Sequence, residues 1–341
     1  VIERVRRERA GWKPAAAAAA AATLAAFAVT SVGLLATATP AEAAAFVEAM
    51  EQRPVEATSL LGKPLYRPEV SDTQRAKLEA DLAAAQAAYD KSPRDEEAAV
   101  WLGRRLAYVG RYHDAIAVFS KGLEANPSSA KLYRHRGHRY VTVREFDRAI
   151  ADFERATALV KGKPDEVEVD GAPNKYGKPR STLQSNIWYH LGLAHYLKGD
   201  FDKALASYQE CMKVSTVNDD MFVATSDWLY MTYRRLDRPE DAKRVLEPVR
   251  ETMDILENTA YHQRLLMYKG LVSPDSLLKT SSGGAADAVQ IATQGYGVGN
   301  WYLVNGDKAK AREIFERVLT GSSWGAFGYI ASEADLARGL K

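Results

Sequence analysis

Residues Glu96 to Ser129 read EEAAVWLGRRLAYVGRYHDAIAVFSKGLEANPSS, and the next 34 residues, Ala130 to Lys163, read AKLYRHRGHRYVTVREFDRAIADFERATALVKGK. Laid one over the other, Gly103 falls on Gly137, Ala115 on Ala149 and Phe119 on Phe153, while Leu102 meets Arg136 and Pro127 meets Lys161. Small residues where two helices cross, and a large apolar residue one turn later, describe a helical hairpin. Such a hairpin cannot bury its own face and must stack on a copy of itself.

Three further copies follow, with falling fidelity. Ser185 to Asn218 carries Trp188, Leu191, Gly192, Ala204, Tyr208 and Cys211 in the same columns. Val223 to Leu256 keeps Leu229, Tyr233, Ala242 and Leu246 but has Tyr230 in the glycine column, which predicts a looser crossing. Ala292 to Gly325 has Gly299, Tyr302, Gly306, Ala311, Phe315 and Val318. The Ala-rich stretch from Asp72 to Lys91 reads as the second helix of a half-repeat covering the N-terminal end. At the other end Ser322 or Ser323 is placed to cap a helix from Trp324 to Leu340, with Trp324, Phe327, Ile330, Ala331 and Ala334 on one face and charges on the other. Terminal caps keep a solenoid soluble.

The repeat resembles the tetratricopeptide repeat, and the chain looks like an exported bacterial member of that family. The resemblance implies an all-α, right-handed solenoid of stacked hairpins, with helical caps at both ends, whose concave groove binds other proteins. Composition agrees: alanine, leucine and charged residues dominate, glycine and proline punctuate unit boundaries, and no stretch alternates like a strand between hairpin turns.

The first 43 residues pose a separate problem. Arg4, Arg6, Arg7, Arg9 and Lys13 precede an uncharged, Ala-rich run from Pro14 to Pro40, which ends at Ala41-Glu42-Ala43. This is the pattern of a secretory signal peptide, and it predicts export to the periplasm or outside the cell. An uncleaved membrane anchor is the alternative, since the run is just long enough to span a bilayer. Residues 1–43 hold five of the 46 basic residues and three of the 44 acidic ones, so the remainder is neutral and its charge gives no reason to expect a nucleic-acid partner. Cys211 is the only cysteine, which forbids an internal disulfide; in a column that normally holds alanine it reads as a small buried hydrophobe. Residues 44–70, with Pro54, Pro64 and Pro68, read as a linker or irregular arm with enough apolar character at Leu60, Leu61, Leu65 and Tyr66 to lie against the array.

Between the second and third units the period is broken by an insertion, roughly Lys161 to Gln184, with Pro164, Gly171, Pro173, Gly177 and Pro179. It cannot be a regular helix, and long loops in repeat arrays cross one face and are often functional. Its Asp165, Glu166, Glu168 and Asp170 before Gly171 faintly follow a calcium loop, but the closing glutamate is missing, so a solvated acidic loop is expected, neutralised locally by Lys175, Lys178 and Arg180.

In tetratricopeptide arrays the first helix of each unit lines the groove. By that register Arg104, Lys131, Arg134, His138, Asn186, Tyr189, Asp227 and Arg234 face a ligand, and the run from Tyr133 to Arg139 is dense in cations and imidazoles. It resembles in kind the clamp by which co-chaperone arrays grip a terminal carboxylate, though the paired-lysine pattern of that clamp is absent. The alternative is that these residues pair with neighbouring units or with the acidic loop. His135, His138, His190 and His195 offer a weaker metal-binding or metalloenzyme reading. No recognised metal, nucleophile-elbow, phosphate-loop or Cys-x-x-Cys motif occurs, so the expected function is a protein- or peptide-binding scaffold that needs no cofactor and performs no catalysis.

Overall fold

The computed structural model describes residues 53–171, 174–279 and 285–341. The expected signal segment and the first part of the arm lie outside the described residues. In chain order the elements are β1 (Val55–Thr58), β2 (Pro64–Tyr66), α1 (Asp72–Lys91), α2 (Glu96–Tyr108), α3 (Tyr112–Ala125), α4 (Ala130–Thr142), α5 (Phe146–Val160), α6 (Leu183–Lys198), α7 (Phe201–Ser215), α8 (Asp219–Arg235), α9 (Pro239–Leu246), α10 (Thr259–Tyr268), α11 (Pro274–Leu277), α12 (Ala285–Val304), α13 (Lys308–Val318) and α14 (Phe327–Ala337). This is an all-α solenoid of stacked hairpins: α2/α3, α4/α5, α6/α7, α8/α9 and α12/α13. Among the described residues no helix is long and apolar enough to cross a membrane.

Each hairpin is built by two local devices. The first helices start at side-chain caps, where Asp95, Ser129, Thr182 and Asn218 accept the backbone N–H of Ala98, Leu132, Ser185 and Met221. The second helices start from a left-handed residue in the turn. Gly110, Arg144, Gly199, Asp237 and Gly306, each fourteen residues after the start of its unit, have φ of 75°, 69°, 86°, 54° and 92°. The next residue's N–H then bonds back across the turn, as from Arg111 to Leu106, Glu145 to Tyr140 and Asp200 to His195. Glycine suits this column because it has no Cβ to clash; Arg144 and Asp237 do not share that freedom.

The crossings follow the repeat. Phe119, Phe153, Tyr208 and Phe315 are buried against Gly103, Gly137, Gly192 and Gly299 respectively. A Cβ added at Gly137 would lie 2.9 Å from two ring carbons of Phe153. Replacing Gly137 with Leu is therefore expected to overpack the α4/α5 crossing and destabilise by about 1–3 kcal/mol. A thermal melt followed by circular dichroism checks this, and an unchanged midpoint would refute the assigned register.

The fourth unit departs furthest. Tyr230 in the glycine column turns to α10, stacking on Tyr268 at 4.2 Å, and α9 is only eight residues long. At the C-terminus the structure corrects the expected cap. The helix begins at Phe327 rather than Trp324, Ala326 occupies the N-cap without a side-chain bond, and neither Ser322 nor Ser323 caps it. Its expected charged face is not solvated either, because Glu333 and Asp335 are 1% and 0% exposed. The helix turns back on α12 and α13 and reaches α6. Trp324 lies in the preceding turn, donating its indole N–H to the Tyr66 carbonyl at 2.8 Å. The arm is not wholly irregular: β1 and β2 form an antiparallel hairpin whose Glu56 accepts from the Tyr112 amide at 3.0 Å and from Arg67.

Candidate functional site

The first helices of successive units touch in order, α2 to α4, α4 to α6 and α6 to α8, and form one wall. The expected groove residues stand on it, but most have partners within the chain. Lys131 pairs with Glu97 at 2.7 Å and with Glu166 of the inserted loop at 3.3 Å. Arg134 pairs with Glu168 at 3.0 Å, and Asn186 donates to the same carboxylate at 3.2 Å. The acidic loop thus occupies cations that the sequence offers to a ligand.

That loop is held as a narrow excursion. Val167 pairs with Thr182, the Glu168 amide donates to the Ser181 carbonyl, and the Leu183 amide donates to the Glu166 carbonyl. Farther out, Gly171 presents its carbonyl to Arg105 at 2.9 Å. Its carboxylates do not converge on one point: Glu166 goes to Lys131, Glu168 to Arg134, and Asp165 accepts the amides of Glu166 and Gln184. Arg180, expected to neutralise them, instead pairs with Asp220 and Asp254, both at 2.9 Å.

Farther along the wall, Tyr189 accepts the Trp228 indole N–H at 2.6 Å and donates to the Tyr261 hydroxyl at 3.0 Å. Asp227 is wholly buried and lies 2.7 Å from the guanidinium of Arg264, also wholly buried. Burial pushes its carboxyl up to about 7, against the opposing pull of Arg264. Arg234 donates to the Tyr230 hydroxyl, the Val304 carbonyl and Asn305. Asp227 and Arg234 are therefore joints between units rather than free groove residues.

The histidines divide. His138 and His190 have ring centroids 4.5 Å apart and both meet Phe327, while His135 stacks on Phe119 and lies near Glu168. His195 stands apart, 3.8 Å from Asp200. Among the described residues no three His, Cys, Asp or Glu side chains come together to hold a metal ion, so the four-histidine alternative is not assembled. Burial, reinforced by the guanidiniums of Arg134 and Arg139, holds His135, His138 and His190 well below the ordinary imidazole range, so all three are neutral at pH 7. Cys211 is buried beside Ser215 and Thr225, and burial raises its thiol to about 11, which makes it inert.

A cleft of about 450 Å³ lies between α1 and α2, away from the expected groove residues. His138 lines two others. The larger of these two, about 350 Å³, lies between His138, Asn258, Tyr261, Gln290, Thr293 and Phe327. The smaller, about 200 Å³, lies under the inserted loop among Arg104, Arg134, Arg139, Glu168 and Asp170. Several of these residues, and the anchors around them, escape sequence reasoning. Arg139 is off the groove register, and Tyr261 and Arg264 sit on α10, outside any clear repeat. Arg139 carried a signal only as part of the cation-dense run from Tyr133, and Arg144 as an arginine in a column otherwise held by glycine or aspartate.

The model of the tetratricopeptide repeat family matches residues 185–215, the α6/α7 hairpin. Among solved structures, that of MamA is 18% identical, with 60% of this chain and 98% of that one covered and a TM-score of 0.40. A MamA structure from Desulfovibrio magneticus RS-1 is 19% identical over 51% and 84%, with a TM-score of 0.38. YrrB, titled a TPR protein with an unusual peptide-binding site, is 17% identical over 69% and 91%, with a TM-score of 0.39.

Proposed function

From the premise that this chain is a tetratricopeptide-repeat protein, we propose that it is an exported scaffold holding a segment of another protein on the inner wall of its array. The supporting observation is the larger cleft beside His138. It offers two aromatic rings, Tyr261 and Phe327, beside the polar groups of Asn258, Gln290 and Thr293, on helices already held by the core. A preordered wall of this composition binds a chain segment with little reorganisation, which is what favours a binder over an enzyme here.

An acidic or carboxylate-ended segment is suited to the wall at Lys131, outside that cleft. Lys131 is exchangeable, because its partners Glu97 and Glu166 are both about half exposed, at 53% and 51%, and such surface pairs are worth about 0–1 kcal/mol. A partner's carboxylate can replace them at little cost. Arg134, enclosed with Glu168, is not exchangeable in this way.

Site-specific photo-cross-linking in the native host tests the reading. A cross-linking residue at Gln290, exposed in the larger cleft, is expected to trap a discrete protein in the envelope fraction, whereas one at the exposed Glu154 is not. Replacing Lys131 with Ala should lower the yield about two- to fivefold, as loss of one surface ion pair implies. Equal adducts from Gln290 and Glu154, or none from either, would count against the scaffold; recovery of the chain only from cytoplasm would count against export alone.

A further inference from the structure

We propose that the smaller cleft, beneath the inserted loop, binds a small phosphate-type oxyanion, either orthophosphate or the phosphoryl group of a small monoester. Arg104, Arg134 and Arg139 bring three guanidiniums to one cavity of about 200 Å³. Cations gathered out of bulk water are unfavourable without counter-charge, and the chain supplies only part of it. Arg134 reaches Glu168 at 3.0 Å and the His135 Nδ1 at 2.8 Å, yet its Nε is enclosed without a hydrogen-bond partner in a side chain only 9% exposed. Arg104 and Arg139 have no ion pair or side-chain hydrogen bond among the described residues. They face rings instead, Arg104 over Trp101 at 4.6 Å and Arg139 over Tyr112 at 5.7 Å.

The remaining groups do not fill the deficit. His135 and His138 are neutral and add hydrogen-bonding capacity without charge. Among the described residues Asp170 is the one other acid on the cavity wall, and its Oδ2 is enclosed with no hydrogen-bond partner. Burial, then Glu257, raises its carboxyl to about 6, so it is a reluctant anion in this position. Burial without a carboxylate likewise lowers Arg139 to about 10. The cleft therefore carries two guanidiniums with open donors, whose planar forks match the oxygens of a phosphate group. A cavity of about 200 Å³ has room for one such group with a few waters. The site shares only His138 with the 350 Å³ cleft, and its test needs no protein partner.

Isothermal titration of the full chain with orthophosphate is expected to show saturable one-to-one binding, with acetate at least about tenfold weaker, because a single carboxylate satisfies fewer of the open donors. Glycerol 3-phosphate separates the two sources: affinity equal to or above that of orthophosphate assigns a monoester, and exclusion assigns the free ion. Arg139→Gln should weaken phosphate about tenfold or more, the loss of one charge-assisted contact. Asp170→Asn, which removes an opposing charge, should tighten it several-fold. Arg104 is partly exposed, so Arg104→Gln gives a second loss-of-binding variant should Arg139→Gln fail to fold. Absence of saturable binding by wild type, or folded variants whose affinities do not move in these opposite directions, overturns the proposal.

Discussion

Replacing Arg264 with Met is expected to lower the unfolding free energy by about 3–5 kcal/mol, because it leaves a buried carboxylate without its cation. Arg264 is 0% exposed, lies 2.7 Å from the equally buried Asp227, and donates to the Thr293 carbonyl at 3.0 Å, so it joins α8, α10 and α12. The pH dependence has a definite sign. Without Arg264 the Asp227 carboxyl stays raised above its unfolded value of about 3.9, so the folded state prefers it protonated. That preference costs nothing below pH of about 4 and destabilises progressively as pH rises. Wild type shares this cost up to about pH 7, because its own Asp227 carboxyl titrates near 7 beside Arg264, so the deficit relative to wild type should widen as pH rises above about 7. Urea denaturation from pH 5 to pH 9 measures it. The double replacement Arg264→Met with Asp227→Leu should recover much of the loss, since an apolar pair of similar volume is often neutral at such sites. A single mutant as stable as wild type at pH 9 would show that the pair does not hold the joint.

Replacing Arg144 with Gly should release the C-terminal helix. The guanidinium of Arg144 contacts both carboxylate oxygens of Glu333 at 3.0 Å and the Trp324 carbonyl at 2.9 Å, with 3% and 1% of the two side chains exposed. Its backbone has φ of 69°, a left-handed conformation that a non-glycine residue holds at a cost of about 1–3 kcal/mol. Glycine keeps the turn and removes that strain, so the loss reports what the Arg144 side chain holds: Glu333, the Trp324 carbonyl and the Trp324 ring. Against a penalty of about 3–5 kcal/mol for stranding Glu333, mid-range values leave a net loss of about 2 kcal/mol. Limited proteolysis should cut between α13 and α14 sooner than in wild type. A protected tail and an unchanged denaturation midpoint would mean that α14 is held by its apolar face alone.

These two residues mark how far the repeat could be read. The glycine-to-aromatic crossings were legible because each is made within a single unit by residues sixteen apart, so a fixed period reports them directly. The turn column from Gly110 to Gly306 recurs at the same spacing but was recognised only from its backbone angles, and what Arg144 holds in it lies 189 residues away. The groove register placed Arg104, Lys131, Arg134 and His138 on the wall, but not their state. Whether a cation on that wall is free or paired depends on where the inserted loop lies, and the loop carries no periodicity from which its path could be read. The C-terminal helix misled in the same way: its apolar spacing predicted a helix, while Glu333 and Asp335 looked like a solvated face because their partners, Arg144 and Arg235, come from other units.

The sequence by itself determined the all-α repeat and the helices that form its inner wall, since both follow from spacing along one strand of chain. Only the tertiary structure decided which wall residues are occupied, where the clefts beside His138 lie, and that the C-terminal helix folds back among the units. Periodicity records contacts that recur at constant separation. Ion pairs between an insertion, a terminus and the array occur once each, at separations that no repeat encodes, and burial then sets their charge.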